Sequence, residues 1–283
     1  MAAMDDATGK TLAAVFCPFE CSWGYLELLR RVVRDHGVPC SVYQDKHTAL
    51  KREREFWSLE EELAGKQEAT QVGAALEALG IETIFANSPQ AKGRVEKLFE
   101  TLQDRLVAQM SLKGITDIDS ANAYLQEEFI AEFNARFGVA TAGEQRWRRL
   151  KPGIDLDKIC SFHYRCKVAN DNAIRFCGLV FDIPPCPGGR SYAGLEAELR
   201  QLLDGSWRIY HAGKIIATAE STEVGEPFRA RKRRRDARAA YDCHWVYMAS
   251  RQASANTEPP SGKMHRSRLK HDPGRPIGAT RIA

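Results

Sequence analysis

The sequence predicts an α/β core followed by a small all-β region. Through about residue 137, short β-type runs alternate with segments whose apolar residues recur at helical spacing, as in α/β folds. From Asp155 the apolar residues recur with a period of two, between turn signals such as Asn170-Asp171-Asn172 and Asp204-Gly205. We therefore expect two successive regions of different architecture.

Composition is that of a globular protein without a membrane segment. The 283 residues, 43% hydrophobic and 28% charged, suffice for two compact domains. No run reaches the roughly 18 apolar residues of a membrane helix, and the first residues lack the pattern of a signal peptide, so we expect a cytoplasmic protein. The eight cysteines are scattered. Cys17 and Cys21, or Cys243 beside His244, have no second pair at zinc-site spacing, so we expect reduced thiols.

The elements of the core follow from local signals. Thr70 and Gly80 bracket a helical pattern as an N-cap and a stop, and Gly37 ends an earlier one. The expected helices cover residues 22–35, 70–79, 93–112 and 120–137. The expected strands are a hairpin within residues 1–16, a strand that ends at Asp45 and a strand over residues 82–87.

Two carboxylates stand out by their positions on these elements. Asp45 ends a strand, and Glu96 lies in the first turns of the helix that follows the next strand. Open α/β sheets place ligands at the carboxyl ends of strands, so we expect the two carboxylates within about 8 Å of each other. Such oxygen ligands suit a pair of Mg²⁺ or Mn²⁺ ions. Taken alone, Glu96 would be interpreted as a solvated carboxylate on a helix, and it is the upstream Asp45 that favours a metal site.

The segment NSPQAKGRVE, which contains Ser88, Pro89, Gly93 and Glu96, resembles the glutamate-bearing segment of DDE transposases and retroviral-type integrases. With "DDATG" and "GVP…D", the resemblance extends over most of residues 4–220 and is closest to insertion-sequence transposases. It implies an RNase H-like integrase core in which Asp45 and Glu96 are the second and third acidic residues of the catalytic triad.

At the N-terminus, this sequence departs from the family pattern. In the family, the first catalytic aspartate lies on a strand that precedes the hairpin, and that strand is not in this sequence. Asp5 and Asp6 match a non-catalytic position on the family's second strand. We therefore expect the chain as written to be inactive, with an incomplete metal site and unpaired strand edges. A true truncation and a start-site error both remain open.

The resemblance also bears on domain organisation. We expect the catalytic core in residues 1–138, a linker in 139–154, a small β-barrel of about five strands in 155–222 and a basic tail in 223–283. Within the barrel region, residues 194–203 have the pattern of a short helix. In the family, the corresponding barrel contacts DNA and neighbouring subunits.

Positive charge is concentrated at the C-terminus. Residues 229–283 contain 14 Lys and Arg against 4 Asp and Glu, whereas residues 1–228 contain 27 against 33. With few apolar residues, the tail is expected to be disordered and to contact DNA phosphates. The linker residue Trp147 suits either nucleic-acid stacking or anchoring of an interdomain hinge. The candidate DNA-binding residues are Lys92, Arg94, Arg148, Arg149, Arg231, Lys232, Arg233, Arg234 and Arg235.

The function implied by the resemblance is DNA integration, recombination and transposition by Mg²⁺-dependent polynucleotidyl transfer. Its partners would be element-end and target DNA and further copies of the chain, and DNA binding would associate it with the bacterial nucleoid. Two alternatives stay open: a non-catalytic DNA-binding remnant of a transposase, and an RNase H-like nuclease.

Overall fold

Helices and short strands alternate in the described residues up to 140, and strands dominate between residues 147 and 222. The computed structural model describes residues 1–44, 49–50, 57, 59–85, 93–140 and 147–222. The helices are α1 (Ser22–His36), α2 (Leu59–Ala64), α3 (Gln71–Leu79), α4 (Gly93–Leu112), α5 (Ile118–Tyr124), α6 (Ile130–Phe137) and α7 (Leu156–Ile159). A π-helical turn, Leu125–Phe129, joins α5 to α6. The strands are β1 (Ala2–Met4), β2 (Thr11–Ala14), β3 (Ser41–Gln44), β4 (Glu82–Phe85), β5 (Phe162–Lys167), β6 (Ala173–Phe176), β7 (Leu179–Asp182), β8 (Glu196–Gln201), β9 (Trp207–His211) and β10 (Lys214–Ala219).

The described strands form four sheets. β1 and β2 make an antiparallel hairpin, β3 and β4 a parallel pair, and β6 and β7 a second hairpin. The remaining strands form an antiparallel sheet in the order β10-β9-β8-β5. This mixed arrangement confirms the expected α/β class, whereas the RNase H-like topology stays a prediction.

The β1–β2 hairpin is packed on both faces. On one face, Ala13 and Val15 contact Leu28 and Val32 of α1. On the other face, Ala14 joins a cluster built from α4 and the α5–α6 segment; its buried members are Leu98, Leu102, Leu106, Tyr124, Leu125, Phe129 and Phe133. Because side chains alternate along a strand, neighbouring residues of β2 contact α1 on one face and the α4–α6 cluster on the other.

Side-chain amides cover the outer edge of β2. The Asn134 amide accepts from the Thr11 N–H at 2.8 Å and donates to the Thr11 carbonyl at 2.7 Å. Asn122 makes the same pair of bonds with Phe16, and Gln126 Nε2 donates to the Ala14 carbonyl at 2.7 Å. These amides satisfy backbone groups that an additional strand would otherwise pair, so the α5–α6 segment closes this edge.

The predicted helices of the core are confirmed. The Thr70 hydroxyl accepts from the Gly73 N–H at 3.0 Å, and Gly80 ends α3 in the left-handed conformation at φ 63°. Gly37 follows α1 at φ 100°, close to the Arg148 carbonyl. Since both glycines have positive φ, a side chain at either position would strain the turn that leads into the next strand.

The predicted closed barrel is wrong for the described residues. The four-stranded sheet is open and packs against the β6–β7 hairpin through aromatic side chains, with Phe181 and Trp207 ring centroids 5.0 Å apart. The predicted short helix over residues 194–203 is also wrong. There, Ala197, Leu199 and Gln201 of strand β8 face inward, and the residues between them are more exposed.

Specific side chains join the α/β part to this open sheet. Trp23 Nε1 donates to the Leu203 carbonyl at 3.1 Å, and Arg30 lies 3.2 Å from Asp157. The Gln71 amide both donates to and accepts from the backbone of His163, at 3.0 and 2.9 Å. Among the described helices, none is long and apolar enough to cross a membrane.

Candidate functional site

The parallel pair β3–β4 provides the frame of the candidate site. Ser41 pairs with Glu82, and the register continues until Gln44 pairs with Phe85. The two strands therefore end side by side. Asp45 is the next residue in the chain after Gln44, and the chain after Phe85 leads to α4, which begins at Gly93.

Glu96 lies in the first turn of α4 and is exposed. The helix is fixed by Leu98, Leu102 and Leu106, which are 6–7% exposed and pack into the hairpin core. Because successive residues are about 100° apart around a helix, Glu96 projects away from the side that Leu98 buries. The positive end of the helix dipole also favours a carboxylate at this position. Glu96 is thus a solvent-accessible acidic group on a firmly packed helix.

Several candidate residues lie outside the described part of the chain. These are Asp45, Lys92, Arg231, Lys232, Arg233, Arg234 and Arg235, together with the side chain of Arg94. The Asp45–Glu96 separation and the proposed metal site therefore stay predictions. Among the described residues, no group of three or more His, Cys, Asp or Glu side chains is arranged to hold a metal ion.

Arg148 is hydrogen bonded to backbone groups of the protein. Its guanidinium donates to the carbonyls of Gly80 at 2.7 Å, Leu79 at 3.2 Å and Pro39 at 3.4 Å. Its own N–H and carbonyl pair with Val38 at 2.9 and 2.7 Å. All these partners precede β3 or β4, so Arg148 joins the amino ends of the two strands. A four-residue strand spans about 13 Å, which separates this contact from the carboxyl-end site.

Of the two residues that flank Arg148, Trp147 is packed against the core and Arg149 is exposed. Trp147 packs against the α1–β2 core, and its ring centroid lies 6.1 Å from that of His36. Arg149 is exposed. Of the two alternatives for Trp147, the structure thus shows an anchoring contact. Arg148 is exposed as well, but its guanidinium already donates to backbone carbonyls.

The amide residues on the edge of β2 and the Arg148 contacts were not found from the sequence. Each is a long-range contact of a polar side chain with backbone groups, and composition does not encode the partner. The only local signal was the spacing of Asn122 and Gln126, which is one helical turn and places both on one side of a helix.

Comparison with known proteins gives partial matches. No protein-family model matches the chain. This chain is 38% identical over 165 residues to the putative transposase y4bF of Sinorhizobium fredii; the aligned residues make up 57% of this chain and 35% of that protein. It is also 35% identical over 139 residues to the transposase for insertion sequence IS1202 of Streptococcus pneumoniae; here the aligned residues make up 49% of this chain and 29% of that protein. The chain therefore spans about a third of the length of these relatives.

Proposed function

We propose that this chain is part of a transposase that acts on DNA by metal-dependent polynucleotidyl transfer, with Asp45 and Glu96 as ligands of one divalent-cation site. The observation that carries the proposal is the in-register parallel pair β3–β4. One strand ends at the residue before Asp45, and the other leads into the helix that holds Glu96. The RNase H-like core belongs to the same proposal.

The similarity to two transposases supports this reading. The matches reach 38% and 35% identity and include about half of this chain. They support a role in transposition and DNA recombination. The assignment to the DDE class rests on the resemblance of residues 87–96 and on the strand-and-helix arrangement described above.

The side chains of the site suit the chemistry. Bound Mg²⁺ or Mn²⁺ would supply Lewis-acid stabilisation of the phosphodiester oxygens. Carboxylate oxygens are the ligands that such hard cations prefer, and exposed Glu96 leaves room for a phosphodiester beside it. In the first step, water forms a bond to phosphorus, the bond to the 3′ oxygen breaks, and that oxygen takes a proton. The freed 3′ hydroxyl then forms a bond to the phosphorus of a target phosphodiester, the bond from that phosphorus to the target's own 3′ oxygen breaks, and that oxygen leaves with the proton.

Phosphate contacts in this proposal come from Arg149 and the basic tail. Arg149 is exposed, and residues 229–283 contain 14 Lys and Arg against 4 acidic residues. Arg148 is a weaker candidate for phosphate binding than the sequence suggested, because its guanidinium already donates hydrogen bonds to three backbone carbonyls. Assembly with further copies of the chain stays a prediction.

The test is an assay of donor-end nicking and strand transfer with Mg²⁺ or Mn²⁺, by this chain and by a form extended upstream with an Asp-bearing strand. In whichever form turns over, Glu96→Gln should lower turnover about a hundredfold or more, because it removes a charged ligand and hardly changes shape. Glu100→Gln is the matched control, since Glu100 is also exposed and lies one turn further along α4. Nicking without strand transfer would indicate a nuclease. DNA binding without either reaction would indicate a non-catalytic remnant, and equal activity of both variants would contradict the role of Glu96.

A further inference from the structure

Three cationic side chains surround one exposed aromatic ring at the end of α6. Arg105 Cζ lies 4.7 Å from the centroid of the Phe137 ring, and Arg136 Cζ lies 5.7 Å from the same centroid. The chain of Lys10 passes beside them, because a Cβ atom added to Gly138 would lie only 2.8 Å from Lys10 Cγ. The β1–β2 turn, α4 and α6 thus each contribute one exposed cation to this basic cluster of Lys10, Arg105, Arg136 and Phe137.

The core holds the ring of the basic cluster in place. Phe137 is the outermost of three aromatic rings in a row: its centroid lies 4.8 Å from that of Phe133, and the centroids of Phe133 and Phe129 lie 5.6 Å apart. Phe129 and Phe133 are buried, whereas Phe137 is 36% exposed. Since cations are attracted to the face of an aromatic ring, this fixed ring gathers two long, flexible side chains before any ligand binds.

The cations of the basic cluster have no acidic partners among the described residues. Lys10, Arg105 and Arg136 take part in none of the salt bridges there. Glu132 lies one helical turn before Arg136, at the spacing of an ion pair, but the two side chains are not paired. Like charges that are close together repel, so a negatively charged ligand is the kind of partner that this surface fits.

The basic cluster is separate from the proposed cation site. Arg105 follows Glu96 by two and a half turns of α4, which places it about 13 Å further along the helix and on the opposite side. A ligand at the cluster would therefore contact the protein away from the reacting phosphodiester. The sequence did not indicate this surface, because its cations are isolated residues of three different elements.

We propose that the basic cluster binds the phosphate backbone of duplex DNA outside the catalytic site. The inference rests on the proposed function, in which DNA is the substrate. A DNA strand carries one phosphate per about 3.4 Å of helix axis, so two guanidinium groups that share one ring can meet neighbouring phosphates. Such contacts position the duplex and are independent of its base sequence.

The test is the salt dependence of DNA binding by the full chain, measured by fluorescence anisotropy with a labelled non-specific duplex. Arg105→Gln/Arg136→Gln should lower the log–log slope by about 2, because each neutralised phosphate contributes about 0.9. Arg34→Gln/Arg175→Gln is the matched control. It removes the same charge from two exposed guanidinium groups that are already ion paired with carboxylates, and its slope should equal that of the unaltered chain.

A charge-conserving variant separates phosphate contact from packing. Arg105→Lys/Arg136→Lys should retain the slope of the unaltered chain, and circular dichroism should show the same fold for all variants. A slope lowered equally in the Lys and Gln variants would indicate disturbed packing and would contradict the proposal.

The remaining outcomes distinguish this proposal from the proposed function. An unchanged slope in Arg105→Gln/Arg136→Gln would overturn the role of the basic cluster alone, whereas an unaltered chain that binds no duplex would overturn both. If the Gln variant kept the slope but lost self-association in sedimentation equilibrium, the cluster would bind a second copy of the chain, and DNA contact would be wrong.

Discussion

At the scale of single residues, Arg148 has a structural role that its basic sequence context did not indicate. The run RWRR suggested nucleic-acid contact, but the Arg148 guanidinium joins the turns before β3 and β4. Arg148→Ala should lower the free energy of unfolding by about 1 kcal/mol, because hydrogen bonds to three carbonyls are lost at a partly solvated site. Urea denaturation of the full chain measures the change. Arg149→Ala is the matched control; an equal loss in both variants would contradict the assignment.

Thr70 offers an independent test at the same scale. Its hydroxyl accepts from the Gly73 N–H in the first turn of α3, and its side chain is buried. Thr70→Ala should cost about 1 kcal/mol of unfolding free energy, whereas Thr70→Ser keeps the acceptor and should cost much less. Thermal unfolding of the two variants separates them. A Thr70→Ser variant as unstable as Thr70→Ala would show that packing of the methyl group, rather than capping, matters here.

At the scale of elements, the closed edge of β2 depends on amide side chains. Asn134→Ala would leave the Thr11 N–H and carbonyl without their partners, at a cost of about 1–3 kcal/mol. Gln103→Ala, on the exposed side of α4, is the control and should change stability little. If hydrogen exchange at Thr11 were unchanged in Asn134→Ala, the amide would not protect this edge.

Elements were predictable where the signal is local. Thr70 and Gly80 mark both ends of α3, and the leucines of α4 mark its buried side, so these helices were found from the sequence. β8 was missed because Leu195, Leu199 and Leu202 have helical spacing, although inward-facing Ala197 and Gln201 give the segment the period of a strand. Tertiary burial decided between the two patterns.

At the scale of the whole molecule, architecture was less predictable than its elements. The strand pattern after Asp155 was correct except at β8, but closure into a barrel depends on which strands pair, and the sheet order β10-β9-β8-β5 leaves it open. For the site, the helix that carries Glu96 was found from the sequence, and the role of Glu96 stays a prediction. The contacts of Arg148 were not, because they join residues more than 60 positions apart.

Charge distribution leads to a prediction for DNA binding. Deleting residues 229–283 removes 14 Lys and Arg. The deletion should weaken binding to non-specific duplex DNA and flatten its salt dependence, because each neutralised phosphate contributes about 0.9 to the log–log slope. Fluorescence anisotropy at several salt concentrations measures that slope. An unchanged slope would exclude the tail from phosphate contact.

The central claim is that Asp45 and Glu96 hold one divalent cation at the carboxyl ends of β3 and β4. The most direct measurement is a titration of the full chain with Mn²⁺, followed by electron paramagnetic resonance of the free ion. Asp45→Asn and Glu96→Gln should each weaken Mn²⁺ binding about tenfold or more, and the double variant should be little worse than either. Glu100→Gln should bind as the unaltered chain does. Unchanged binding in Glu96→Gln, or independent and additive losses in the double variant, would contradict a shared site.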